Sequence, residues 1–135
     1  MVVVCWSVKG GVGTTVVAAA LALAAARRGK AVLLVDLAGD LASVLGVDGS
    51  GIGVSDWCSA SGGAGVEALD RLTVEVAGGT RLLVRGTSRW SAAVPERLVG
   101  LVADLASGYD VVVMGADKWH QPHDPAFYGN GHGGR

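Results

Sequence analysis

Residues 2–36 read VVVCWSVKGGVGTTVVAAALALAAARRGKAVLLVD and decide the fold class. Val2 to Trp6 and Ala31 to Val35 are short apolar runs rich in β-branched residues, which is typical of buried parallel strands. Between them, Thr14 to Arg28 is dominated by Ala, Leu and Val and predicts a helix that Gly29 caps at its carboxyl end. The stretch therefore predicts a right-handed strand–helix–strand unit.

The predicted helix is apolar on nearly all sides, so we expect it to pack between the sheet and another element. Further along the chain, strands and helices continue to alternate. Helices are predicted over Leu41–Leu45, Val54–Ser59, Val66–Leu72 and Ser91–Ala106, and strands over Leu72–Val76, Arg81–Val84 and Asp110–Met114. This order predicts a three-layer α/β fold with a mostly parallel sheet.

The composition limits the class of protein. A chain of 135 residues, 50% of them hydrophobic, has the size of one domain with a hydrophobic core. A net charge of −1, with no basic stripe, gives no electrostatic argument for nucleic acid or an anionic membrane as a partner. Without a predicted signal peptide or membrane span, we expect a cytoplasmic protein in which Cys5 and Cys58 are reduced thiols.

The character of the chain changes after residue 117. Residues 118–135 contain all three histidines and two of the three prolines, and they show no periodicity. We therefore predict a domain over 1–117 and an irregular or disordered tail over 118–135. Because no helix or hairpin is predicted to hold its ligand-type side chains, a solvated tail is favoured over a metal site formed by His120, His123, Asp124 and His132.

A glycine-rich loop joins the first strand to the helix. In a Walker A loop, G-x-x-x-x-G-K-[ST], backbone amides cradle phosphates, the lysine reaches the β- and γ-phosphates, and the hydroxyl holds Mg²⁺. Here Thr14 stands where the lysine is expected, whereas Thr15 supplies the hydroxyl. Losing one charge-assisted hydrogen bond weakens binding by about 1.5–3 kcal/mol, roughly 10- to 100-fold, and hinders hydrolysis more. The predicted nucleotide-binding residues are Gly10, Gly11, Val12, Gly13, Thr14 and Thr15.

The loop, together with Lys9 before it, resembles the deviant Walker A motif of the ParA/MinD family of dimerising ATPases, which position plasmids, chromosomes, division sites and pili. A loop ending in G-T-T is similar to those near the Flp/Tad pilus-assembly and septum-site ATPase-like proteins. The resemblance implies a P-loop NTPase-like fold that binds ATP and Mg²⁺. It makes Lys9 the signature lysine that crosses the dimer, and it gives Thr15 and Asp36 roles at the metal, Asp36 also placing the attacking water. A homodimer through the nucleotide is the implied partner, with the cargo unassigned.

Three features depart from the family pattern. The usual D-x-D-P-Q reads Asp36-Leu37-Ala38-Gly39-Asp40, so only the first aspartate carries over. The Walker B strand is expected to end in aspartate, but Gly115 follows Met114, and Asp117 is interpreted mainly as a loop acid. The family domain is also about twice as long. We therefore expect a C-terminally truncated fold, and a frameshifted or truncated gene is one explanation of both the broken pattern and the altered tail.

Four functional hypotheses follow. The chain is an active ATPase, a nucleotide-binding pseudo-ATPase that acts through dimerisation, an inactive fragment, or a dinucleotide-binding Rossmann unit. The last is disfavoured because the third glycine of G-x-G-x-x-G is missing at Val16. The favoured prediction is an ATP-binding, ParA/MinD-like positioning protein in which hydrolysis is weakened or absent.

Overall fold

The computed structural model describes residues 1–7, 12–59, 66–89 and 94–117. Strands and helices alternate along most of this part of the chain, as expected for an α/β fold. The strands are β1 (Val2–Ser7), β2 (Val32–Asp36), β3 (Val74–Ala77), β4 (Thr80–Leu83) and β5 (Val111–Asp117). The helices are α1 (Val12–Arg27), α2 (Leu41–Leu45), α3 (Val54–Ser59), α4 (Val66–Asp70) and α5 (Val94–Gly108).

The described strands form one sheet in the order β1-β5-β2-β4-β3. All neighbours are parallel except β3, which is antiparallel to β4. The central strand β5 aligns Gly115 with Cys5 on one side and with Asp36 on the other. The mostly parallel sheet is therefore confirmed, and the carboxyl ends of β1, β5 and β2 lie together at one edge.

Helices cover both faces of the sheet, which confirms the three layers. On one face, the small side chains of α1, such as Ala18 and Ala22, pack with Leu34 and Val113 of the sheet. The other face is packed by larger residues from α3, α4 and α5. Because alternate residues of a strand point to opposite faces, the neighbours Leu33 and Leu34 belong to different cores.

Helix α1 packs against the sheet and contacts α2, as predicted, but its outer side is exposed. Val16, Val17 and Leu21 are 47%, 52% and 44% exposed, so no second element covers this side within the described residues. The helix buries its alanines against the sheet instead. Its apolar character all round does not by itself identify a second packing partner.

The bounds of the helices and strands agree closely with the sequence prediction, except at the end of β5. The helix after the loop begins at Val12 rather than Thr14, and Gly29 ends it with a positive φ of 82°. The last strand, however, continues past Met114 to Asp117, where it pairs with Ser7. The expectation that Asp117 is a loop acid is therefore wrong, because pairing with β1 extends a strand whose apolar run has already stopped.

A second loop is fixed by Asp56 of α3, which the sequence does not single out. Its carboxylate accepts hydrogen bonds from the backbone N–H of Gly53 (2.8 Å), Thr87 (3.0 Å) and Ser88 (3.0 Å). Burial tends to raise the pKa of Asp56, but these bonds and those of the Thr87 and Ser88 hydroxyls hold it well below its usual value. The segment after β4 is thereby tied to the start of α3.

No described helix has both the length and the apolar character needed to cross a membrane. The predicted tail, 118–135, and its four ligand-type residues lie outside the described residues. Elsewhere in the part of the chain that is described, no three His, Cys, Asp or Glu side chains meet in a group that could hold a metal ion.

Candidate functional site at the carboxyl edge of the sheet

The predicted nucleotide site begins where β1 passes into α1. Helix α1 starts at Val12, so Val12, Gly13, Thr14 and Thr15 form its first turn. The first N–H groups of a helix have no partner within the helix, and they carry partial positive charge. These groups are suited to an anion such as phosphate. Lys9, Gly10 and Gly11 lie outside the described residues.

Within this first turn the two threonines differ in exposure. Thr15 is only 4% exposed, whereas Thr14 is partly exposed. Thr15 lies one turn before Ala18, and residues three apart share a helix face, so it belongs to the side of α1 that packs on the sheet. Thr14 therefore lies on the more exposed side of this turn.

Asp36, the last residue of β2, is almost fully buried at 2% exposure. Its Oδ1 accepts hydrogen bonds from the N–H groups of Ala38 (3.2 Å) and Gly39 (2.7 Å). Its Oδ2 accepts one from Leu41, the first residue of α2, at 3.1 Å. Asp40, at the N-cap of α2, makes no side-chain cap, so Asp36 performs this role from the strand end. The carboxylate therefore organises the whole β2–α2 turn.

Burial raises the pKa of Asp36 above its usual value of 3.8. The three backbone N–H donors act in the opposite direction but do not fully offset the loss of solvation, and the charge of nearby Asp40 adds to the increase. A buried carboxylate with a raised pKa is often found at functional sites, but a structural role produces the same signature.

Gly115 occupies the neighbouring position on β5, directly opposite Asp36 in the sheet. A Cβ placed on Gly115 would lie 3.0 Å from Cδ1 of Leu41 and 3.5 Å from Cβ of Ala18. Both of these side chains are buried, at 1% and 0% exposure. The position that faces α1 from β5 is thus lined by apolar groups.

Residues 3–114 match the family model of the CobQ/CobB/MinD/ParA nucleotide binding domain, which is also called CbiA. The matched segment covers most of the chain. It includes β1, the glycine loop, α1 and Asp36.

The chain belongs to this family.

Solved structures show the same relationship. A ParA family ATPase from Chlorobium tepidum TLS is 26% identical with a TM-score of 0.69, and the match covers 87% of this chain and 52% of that one. The septum site-determining protein MinD of Pyrococcus horikoshii OT3, solved as a complex with Mg-ADP, is 27% identical with a TM-score of 0.66. That match covers 90% of this chain and 51% of the MinD chain.

A MinD cell division protein from Aquifex aeolicus is 25% identical, with a TM-score of 0.64 and coverage of 93% of this chain and 49% of its own. The chain thus spans about half the length of these solved relatives. No protein of curated function matches it. The P-loop NTPase-like α/β fold predicted from the loop is confirmed.

The site residues predicted from the sequence are only partly described. The structure places Asp36 and Gly115 side by side on paired strands, and it packs α1, which carries Thr15, against β5. The assignments of Lys9 and Asp36 as catalytic and of Thr15 and Asp36 as metal-binding stay predictions. Leu41 was missed, because its contact with Gly115 depends on the return of a distant strand.

Mg²⁺ needs a near-octahedral set of oxygen ligands at about 2.0–2.1 Å and is usually held by one or two carboxylates plus phosphate oxygens. Among the described residues, Asp36 and Thr15 are the side chains predicted to hold this ion, and Gly115 offers none. An ionised carboxylate has about four lone-pair sites, so Asp36 can accept its three backbone hydrogen bonds and still ligate an ion.

Proposed function

We propose that the chain binds ATP through residues 9–15 and acts as a ParA/MinD-like positioning protein in which hydrolysis is weakened or absent. The observation that carries the proposal is the family match over residues 3–114, with α1 beginning directly behind the glycine loop. The MinD relative solved with Mg-ADP supports a nucleotide as the ligand of this fold. Partitioning, division-site placement and pilus assembly are the processes that the family resemblance favours.

Weak hydrolysis follows from the charges that the site lacks. Phosphoryl transfer is catalysed mainly by positioned positive groups and metal ions that stabilise charge on the transferred phosphoryl. Thr14 provides no positive charge, and Gly115 provides no carboxylate at the position of β5 opposite Asp36. Backbone N–H groups remain, and they support binding without supplying these catalytic groups.

The test of binding is a titration of the purified chain with a fluorescent ATP analogue, followed by displacement with unlabelled ATP. Saturable binding that ATP displaces is the expected result. Failure to bind would overturn the proposal and would favour the Rossmann interpretation if NAD, tested in parallel, bound instead.

Dimerisation tests the assignment of Lys9. If Lys9 contacts the nucleotide of a second copy, Lys9→Ala should abolish ATP-driven dimerisation, measured by light scattering, while ATP binding to the monomer persists. Lys30→Ala is the matched control, since Lys30 is exposed beyond the far end of α1. Equal dimerisation of both variants would contradict the role of Lys9.

An inactive fragment is the second candidate function. The observation that favours it is that the chain spans about half the length of its solved relatives. ATP-driven dimerisation of the unmodified chain would exclude this candidate. ATP binding without dimerisation at any protein concentration would favour it.

A further inference from the structure

The described sheet ends on one side at β1, whose only partner among the described strands is β5. The N–H of Val112 on β5 donates to the carbonyl of Met1 at 2.8 Å, and Val112 lies beside Val2 in the register. Alternate residues of a strand in a parallel pair direct their polar groups to the same side. The N–H and C=O groups of Val2 and Val4 therefore point away from β5, where no described strand meets them.

The sequence of β1 is typical of an interior strand, although the strand lies at an edge. Residues 2–6 read VVVCW, without a charge or a proline, as in parallel strands that are buried on both faces. Val2 and Val4 are nevertheless 39% and 58% exposed. Helix α1, which contacts β1, leaves Val16 and Val17 exposed as well. Strand and helix together thus leave apolar side chains in contact with solvent.

The opposite edge of the sheet, formed by β3, is built differently. It has only four residues, it carries the charged Glu75, and its register with β4 shifts between Glu75 and Ala77. Short length, charge and irregular pairing protect edge strands from pairing with another chain. Strand β1 has six uncharged residues in unbroken register with β5, so it has none of these protections.

Two segments of this chain are candidates to cover the open edge of β1: residues 118–135 and the β1 strand of a second copy. Residues 118–135 contain four glycines, two prolines and no Val, Ile or Thr, a composition that is unfavourable for a strand. Two β1 strands that pair antiparallel about a two-fold axis place apolar residues opposite apolar residues along their whole length. The second copy is therefore the better match.

We propose that two copies of this chain associate through β1, antiparallel across a two-fold axis, and form one continuous sheet. The association needs no nucleotide, so it is distinct from the ATP-driven dimer assigned to Lys9 and does not depend on the proposed function. Six residues of β1 give a face about 20 Å long, and the sheet edge with the side of α1 is about 20 Å high. About 400 Å² from each copy is small for a specific interface, so the dimer should be weak and concentration-dependent.

Sedimentation equilibrium of the unmodified chain tests the association. The sample contains EDTA and no nucleotide, and a reducing agent excludes a disulfide through Cys5, a free thiol on β1. A monomer–dimer equilibrium is expected between about 1 and 500 µM, a range suited to a small interface. A monomer at every concentration, as when residues 118–135 cover the edge, would overturn the inference. Association beyond the dimer would contradict the closed two-fold pairing.

A pair of lysine variants tests whether β1 is the contact. Val4→Lys brings two like charges close together across the axis and should raise the dimer dissociation constant tenfold or more, roughly the effect of one unfavourable charged pair. The matched control is Val74→Lys, which places the same charge on an exposed valine of β3. It should change the constant less than about threefold. Equal weakening by both substitutions would contradict the assignment to β1.

Hydrogen exchange on the unmodified chain provides a measurement that does not depend on the folding of a variant. The amides of Val2 and Val4 point away from β5, so they should exchange more slowly at high protein concentration, where the second copy accepts their hydrogen bonds. Circular dichroism establishes that the two lysine variants are folded. Unchanged exchange at Val2 and Val4 in a sample that sediments as a dimer would place the interface elsewhere and overturn the inference.

Discussion

Asp36 of β2 and Gly115 of β5 lie side by side in the sheet, yet the two positions differ in almost every chemical respect. Asp36 ends β2 with a buried carboxylate that accepts three backbone hydrogen bonds. Gly115, opposite it on β5, has no side chain, and Leu41 and Ala18 border the position. Position 36 needs its acid for the β2–α2 turn, whereas position 115 has no structural need of one. Retention of Asp36 is therefore weak evidence for catalysis.

The largest effect is expected from Asp36→Ala, which removes the acceptor of three N–H groups. Leaving the buried Leu41 donor unpaired costs about 1–3 kcal/mol, and the part-buried donors of Ala38 and Gly39 add less, so we expect about 3 kcal/mol of lost unfolding free energy. Urea denaturation measures this loss. Asp40→Ala is the matched control and should change stability by less than about 0.5 kcal/mol, since Asp40 is exposed and caps nothing. Equal losses of stability in Asp36→Ala and Asp40→Ala would contradict the structural role of the Asp36 hydrogen bonds.

Gly115→Asp tests the position of β5 opposite Asp36. The added side chain meets Leu41 and Ala18, and overpacking of this kind typically costs about 1–3 kcal/mol. Combining it with Leu41→Ala should cost less than the sum of the single losses, because the two changes share one space. Gly100→Asp is the control, since a Cβ on Gly100 meets nothing within 4 Å. Additive losses in the urea-unfolding double-mutant cycle would argue that Leu41 does not fill this position.

Thr14→Lys restores the charge missing from the loop without altering position 36 or position 115. It should tighten ATP binding roughly 10- to 100-fold, corresponding to about 1.5–3 kcal/mol for one charge-assisted bond. Leu21→Lys adds the same charge on an exposed position of α1, about 10 Å further along the helix, and should change affinity much less. An unchanged affinity for Thr14→Lys, measured by nucleotide titration, would show that phosphates do not lie at the start of α1.

The smallest effect is expected in the pH dependence of stability. The pKa of Asp36 is raised above 3.8 in the folded chain, so the folded state binds this proton more tightly than the unfolded state. Its contribution to stability is complete below pH 3.8 and is lost as pH rises through the folded pKa. Asp36→Asn removes this contribution, so the unfolding free energy of the variant should fall more steeply than that of the unmodified chain as the pH is lowered through this range.

Asp56 provides the opposite case. Its pKa is held below 3.8, so its contribution is present above that pH and is lost on acidification. Asp56→Asn should weaken the decline of stability in acid, whereas Asp36→Asn should steepen it. Urea denaturation at a series of pH values measures both changes. If the two substitutions changed the pH dependence of the unfolding free energy in the same direction, the opposite pKa shifts of Asp36 and Asp56 would be contradicted.

Much of the fold was predictable because local pattern and burial agree. Apolar β-branched runs became β1, β2 and β5, and Gly29 and Gly46 end helices with positive φ. The extension of β5 to Asp117 was not predictable, since Gly115 and Ala116 interrupt the run and only pairing with β1 continues the strand. The exposed apolar side of α1 was also not predictable, because hydrophobicity alone does not show what covers a helix.

The location of the candidate site was predictable from the sequence, whereas the hydrogen bonds and contacts of its residues were not. The loop and Asp36 stand out locally, as a glycine pattern and as an acid at the end of a buried strand. The three hydrogen bonds of Asp36 depend on how the chain turns after β2. The contact of Leu41 with Gly115 requires the sheet order, which single-residue patterns do not specify.

The central claim is that the loop binds ATP and that its hydrolysis is weakened or absent. The most direct test measures bound ATP and released phosphate in the same sample, at protein concentrations where binding is saturated. We predict full occupancy with phosphate release at or near the rate in buffer alone. Rapid phosphate release in proportion to the protein, or an absence of bound ATP, would contradict the claim.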